Sequence, residues 1–179
     1  MMLEVDMAAA DRAAKLLEGI PQGIEKATMF AINRAILAAR TSAVKSIRET
    51  YVIKASDLKA SMTMKKAGIS HLRASLVTRG APIDLQKFRV KISRDGVSAQ
   101  VKRSGGGALP HSFFVTTGNM GIFHRTTSAR TPLQREFGPS LPQMMGNEEV
   151  MSKVQARASA VLEERMLHEA EAVLGGYIT

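Results

Sequence analysis

The hydrophobic period of this chain changes twice, and the change constrains the fold more than any motif. From about Gln22 to Glu49 apolar residues recur at helical spacing. From Ser61 they recur every second residue. After Asn147 helical spacing returns. A helical period cannot settle as a strand, nor a two-residue period as a helix. The order predicts an α+β fold: a long N-terminal helix, a small antiparallel sheet with a β-hairpin, a long ordered loop and a C-terminal helix.

Residues 1–21 read as a separate N-terminal helical extension, and residues 22–179 as the main domain. Pro21, flanked by Gly19 and Gly23, breaks the helix between them. At about 100° per residue, Met29, Ile32, Ile36, Leu37, Val44, Ile47 and Tyr51 gather on one side of the next helix. Arg34, Lys45 and Arg48 share a neighbouring strip and form a basic ridge. Asn33 and Arg40 fall inside the apolar sector, where Arg40 is expected to snorkel or to pair at a helix crossing. A short helix to about Ala60 follows, with Ser56 as its expected N-cap.

Four alternating runs come next. They are Met62 and Met64; Leu72, Ala74 and Leu76; Phe88, Val90 and Ile92; and Val97, Ala99 and Val101. Each interleaves with polar residues, as half-buried antiparallel strands do. Arg94-Asp95-Gly96 joins the last two runs and predicts a hairpin. Lys65, Arg73, Arg79, Arg89, Lys91 and Lys102 fall on the outward side of these runs. Ser104-Gly105-Gly106-Gly107 reads as a mobile turn, and 113–116 and 121–125 as two further strands. Thr126–Gly146, with three prolines and the apolar Leu133, Phe137, Leu141, Met144 and Met145, reads as a loop that packs on or inserts into a neighbour. Asn147 is placed to cap the last helix, Glu148 and Glu149 complement its dipole, and Val150, Val154, Ala158, Val161 and Leu162 form its buried stripe.

Charge is concentrated in the centre. Residues 34–103 hold 16 Lys/Arg and 4 Asp/Glu, a net of +12 within a chain of net +9. The flanks are therefore net −3. Such a centre fits a polyanion, an acidic protein surface or simply a solvated basic face. With 6 Phe, 2 Tyr and no Trp there are few aromatics on which bases could stack, so nucleic-acid contact is expected at phosphate. The chain has no cysteine, its first residues are acidic where a signal peptide is basic, and no apolar run approaches the ~18 residues that span a membrane. These features predict a soluble protein made in a cytoplasm, with no membrane partner.

No chemistry-bearing motif stands out. His71, His111, His124 and His168 lack partners at metal-ligand spacing, and His168-Glu169 are about 100° apart on a helix. No HExxH, GxSxG or Walker pattern occurs, and the glycine run lacks the Lys-Ser/Thr and helix of a phosphate loop. Asp84 and Asp95 are the carboxylates of the sheet region, too few for a two-metal nuclease. The expectation is a non-enzyme without catalytic, cofactor-binding or metal residues.

The ordered strings of residues resemble the minor tail protein Z family of tailed bacteriophages and prophages. They are Ala31-Ile32-Asn33-Arg34-Ala35, Ala39-Arg40-Thr41, Ile47-Arg48-Glu49 with Tyr51, and Ile53-Lys54 before Asp57-Leu58. Later come Phe123-His124-Arg125-Thr126, Pro132, Phe137-Gly138-Pro139-Ser140 and Pro142 to Asn147. The resemblance spans about residues 25–175. It implies a structural virion protein that completes the tail at the end joining the head connector. Related tail-completion proteins form closed, commonly sixfold, rings on the path of the genome. The implied partners are further copies of the chain, a tail-tube or tail-terminator protein, the head–tail connector and passing DNA. The implied location is the head-proximal end of the tail.

A ring needs a heterologous interface. The candidates are Arg125, Arg130, Pro132, Phe137, Gly138, Pro139 and Met144, and replacing Phe137 and Gly138 is expected to impair assembly more than folding. The candidate face for DNA or an acidic partner is Arg34, Lys45, Arg48, Lys65, Arg73, Arg89, Lys91 and Lys102. The competing reading is a free basic protein that binds nucleic-acid phosphate.

Overall fold

The computed structural model describes residues 7–94, 96–116, 118 and 120–176, with side chains from Asp11 onward. The acidic segment Met1–Asp6 and the Asp95 position of the expected turn lie outside them. The fold is α+β. Its helices are α1 (Met7–Leu16), α2 (Gly23–Thr50), α3 (Ala55–Ala60), α4 (Leu141–Met145) and α5 (Glu148–Leu174). Its strands are β1 (Met62–Lys65), β2 (Ser75–Thr78), β3 (Ile83–Asp84), β4 (Arg89–Ser93), β5 (Gly96–Lys102), β6 (Gly105–Leu109), β7 (Ser112–Val115), β8 (Gly121–Arg125), β9 (Leu133–Arg135) and β10 (Phe137–Gly138). The chain divides into two compact units. The first comprises Met1–Ala43, Met62–Val77 and Glu148–Thr179; the second comprises Val44–Ser61 and Thr78–Asn147.

The first unit is built on alanine. Ala27, Ala31, Ala35, Ala39 and Ala43 recur at every fourth position of α2, and all are buried. Ala27, Ala31 and Ala35 share a core cluster with Ala13 and Leu17 beside α1, and with Val161, Leu162, Met166, Ala170 and Val173 of α5. Small side chains let helix axes approach closely while costing nothing in helix propensity. The larger α5 residues fill the remaining space, each contributing about 1.5–3 kcal/mol on burial. The stripe Val150, Val154, Ala158, Val161 and Leu162 is buried as expected. The expected α2 stripe is corrected in part. Ile36, Val44, Ile47 and Tyr51 are buried, but Leu37 is 40% exposed because the alanines occupy the packed side.

Asn33 has a fold-building role. Its Nδ2 donates to the Ala67 carbonyl at 3.1 Å, and the Ala67 N–H donates to Asn33 Oδ1 at 2.8 Å. The amide thereby satisfies both backbone groups of a buried residue beyond β1. Glu169, 6% exposed, lies 4.0 Å from the Arg34 Nε.

The second unit carries three antiparallel sheets: β4-β5-β6, β7-β8-β9 and β3-β10. β1 and β2 form a separate pair, so the expected single sheet is four small ones. The β4–β5 hairpin is present, paired from Arg89↔Gln100 to Ser93↔Gly96. Gly96 closes it at φ 132°, which glycine adopts without a Cβ penalty. The end of α2 is tied to β5 by the Val52 N–H to the Val101 carbonyl (2.9 Å) and the Arg103 N–H to the Thr50 carbonyl (2.8 Å).

Three further expectations are corrected. The glycine run is strand β6, paired with β5 at Lys102↔Gly105, Ala99↔Gly107 and Ser98↔Ala108, rather than a mobile turn. Residues 126–146 are not one loop: β9 pairs with β8, β10 pairs with β3, and α4 opens on a Ser140–Gln143 capping box. The N-cap of α3 is the extended Lys54, not Ser56, because the helix begins at Ala55.

Candidate functional site

Of the 16 Lys/Arg in the basic centre seen in the sequence, 11 fall in one unit. Residues 44–61 and 78–147 hold 14 Lys/Arg against 5 Asp/Glu, whereas the other unit holds 11 of each. The whole net charge of +9 therefore belongs to the β-rich unit. Three of its five carboxylates are engaged locally. Asp57 pairs with Lys87 at 3.1 Å, Asp84 pairs with Arg135, and Glu136 Oε1 lies 2.7 Å from His124 Nδ1.

All eight candidate cations are exposed, and they divide between the two units. Arg34, Lys65 and Arg73 belong to the helical unit; Lys45, Arg48, Arg89, Lys91 and Lys102 belong to the other. The expected common sheet face fails because β1 and β2, beside Lys65 and Arg73, pair with each other and not with β4–β6. Within the second unit the register places Arg89 opposite Gln100 and Lys91 opposite Ser98. Directly opposed residues share a face, so Arg89, Lys91, Ser98 and Gln100 lie together.

A contact network joins further arginines to that face. Arg89 Nη1 donates to Gln100 Oε1 at 3.2 Å. Gln100 Nε2 donates to the Arg103 carbonyl at 3.2 Å, and Arg103 Nε donates to the Arg48 carbonyl at 2.6 Å. Each of these acceptors is neutral. Arg103 was not among the candidates from the sequence, where nothing but its membership of the basic run marked it. Its role depends on the pairing of the end of α2 with β5.

The candidate interface residues separate into surface and interior. Arg125, Arg130 and Pro132 lie in a continuously exposed run, 125–134. The Arg125 guanidinium sits 4.9 Å above the Phe113 ring. Phe137 is 51% exposed. Pro139 is half-buried and lines an open groove of about 680 Å³ with Tyr51, Leu85, Leu109 and Phe137. Met144 is fully buried, so its side chain offers no surface. Gly138 is also structural. A Cβ there would lie 2.8 Å from Phe88 Cζ and 3.1 Å from Phe88 Cδ2. The expectation that Gly138 serves assembly more than folding is corrected on that ground.

Arg135 is the other residue that the sequence did not single out. It pairs with Asp84 and donates to the Met120 carbonyl at 2.7 Å. Its guanidinium lies 5.7 Å from the Phe123 ring centroid and 6.0 Å from that of Phe137. Gly121 lies beneath it: a Cβ there would come 2.8 Å from Arg135 Nε, and the guanidinium would have to shift. Arg135 thus links β3, β8, β9 and β10 by charge and stacking.

Among the described residues, no group of three or more His, Asp or Glu side chains is placed to hold a metal ion. No described helix is long and apolar enough to cross a membrane. The class that emerges is an α+β protein with a charge-balanced helical unit and a basic, β-rich unit. No protein-family model, curated protein or solved structure matches this chain.

Proposed function

We propose that this chain is a structural protein of a tailed phage or prophage, completing the tail at the end that meets the head connector. The observation that carries the reading is the ordered series of strings from Ala31-Ile32-Asn33-Arg34-Ala35 to Pro142–Asn147, which resembles the minor tail protein Z family. Several of these positions build the fold. Ala31 and Ala35 are in the helical core, Asn33 clamps Ala67, Gly138 abuts Phe88, and Ser140 caps α4. In this reading copies of the chain close a ring by heterologous contacts. The exposed run 125–134 and Phe137 supply one side of that contact. The test is co-sedimentation with purified tail tubes, combined with light scattering of the free protein. Tube-bound closed oligomers are expected; a chain that stays monomeric and never associates with tubes refutes the reading.

A further inference from the structure

We propose that the face of the β4-β5-β6 sheet carrying Arg89 and Lys91, with Arg48 and Arg103 beside it, binds the phosphate backbone of duplex DNA. The first support is charge. This unit holds all of the net +9, and its Asp57 and Asp84 are paired with Lys87 and Arg135. Two of the four cations donate to neutral groups: Arg89 to the Gln100 side chain, which in turn holds the Arg103 backbone, and Arg103 to the Arg48 carbonyl. Their charge is therefore left for an outside partner. Glu49, next to Arg48, projects about 100° away from it around α2.

The second support is donor type and shape. Guanidinium forks match phosphate oxygens, and Ser and Gln are common phosphate donors. Ser98 and Gln100 stand opposite Lys91 and Arg89. Across β5, Ser98 faces only Ala108, and the exposed Gly106 adds no side chain. The face is thus low enough to admit a broad, rigid polyanion. The strands of this face carry no aromatic residue, and Phe113, Phe123 and Phe137 of the other sheets lie against Arg125 and Arg135, which favours backbone over base contact. Binding of this kind does not depend on the tail reading, and a failure of either leaves the other standing.

The test is fluorescence anisotropy with a labelled 30-base-pair duplex between 50 and 200 mM salt. Each neutralised phosphate adds about −0.9 to the slope of log K against log salt. The double variant Arg89→Gln/Lys91→Gln should weaken binding at least about tenfold at 100 mM salt and flatten the slope by about 2. Arg89→Lys, which keeps the charge, should retain the wild-type slope. The control Lys66→Gln/Arg157→Gln removes the same charge from exposed positions of the helical unit and should bind as wild type. Absence of binding at 50 mM salt overturns the proposal, as does equal weakening in the control. Competition by poly-glutamate as effective as by DNA would make the face an acidic-protein surface and would equally overturn it.

Discussion

Gly138→Ala puts the packing of the β-rich unit to a direct test. Gly138 pairs with Ile83 across β10 and β3, and the new Cβ would press on the edge of Phe88, itself 7% exposed. A ring edge in a packed interior cannot swing aside as the end of a flexible chain can. Overpacking of this kind costs about 1–3 kcal/mol, while the smaller freedom of alanine in the unfolded chain returns about 0.4–1 kcal/mol. The net expectation is a loss of about 1–2 kcal/mol, or a melting temperature lower by about 2–8 °C for a chain of this size. Thermal unfolding followed by circular dichroism reads the shift, and hydrogen exchange over residues 78–147 locates it. Phe88→Leu removes the ring edge, so Gly138→Ala in that background should cost less, with a coupling of at least about 0.5 kcal/mol. A Gly138→Ala protein that melts at or above the wild-type temperature, or strictly additive variants, would refute the reasoning.

Asn33→Ala leaves the N–H and carbonyl of the buried Ala67 without their clamp, and should cost about 1–3 kcal/mol in urea unfolding. Ala35→Leu forces a large side chain into the small-residue helix contact, and should lower stability by about 1–3 kcal/mol while leaving the helical dichroism of the native protein unchanged. The Lys153 ammonium, hydrogen-bonded at 2.8 Å, holds the Glu149 carboxyl below its ordinary 4.5. A depressed carboxylate favours the fold above its unfolded pKa and loses that contribution as pH falls through the folded value. Lys153→Gln should therefore raise the Glu149 titration midpoint toward the ordinary value in an NMR titration.

The long elements were legible because they combine length with period. The α2 and α5 helices and the β4–β5 hairpin stand where Gln22–Glu49, Asn147–Leu174 and the Asp-Gly turn placed them. The α2 contact surface was misjudged because large residues dominate a hydrophobic reading. Here the alanines at 27, 31, 35, 39 and 43 make the buried ladder. Strand β6 was illegible because Gly105-Gly106-Gly107 shows no alternation of side chains; only pairing with β5 makes it a strand. The three- and two-residue strands β9 and β10 are too short for any period, and they owe their existence to their partners β8 and β3. The same dependence on distant partners hid Arg135 and Arg103. Met144 was misplaced because an apolar residue in a proline-rich stretch reads equally as interface or interior.

The tail-completion reading is tested most directly by electron microscopy of tails assembled with and without this chain. A ring of density at the head-proximal end, present only with the chain and labelled by an affinity tag on it, is the expected result. Tails of identical appearance that join heads equally well in its absence would contradict the account.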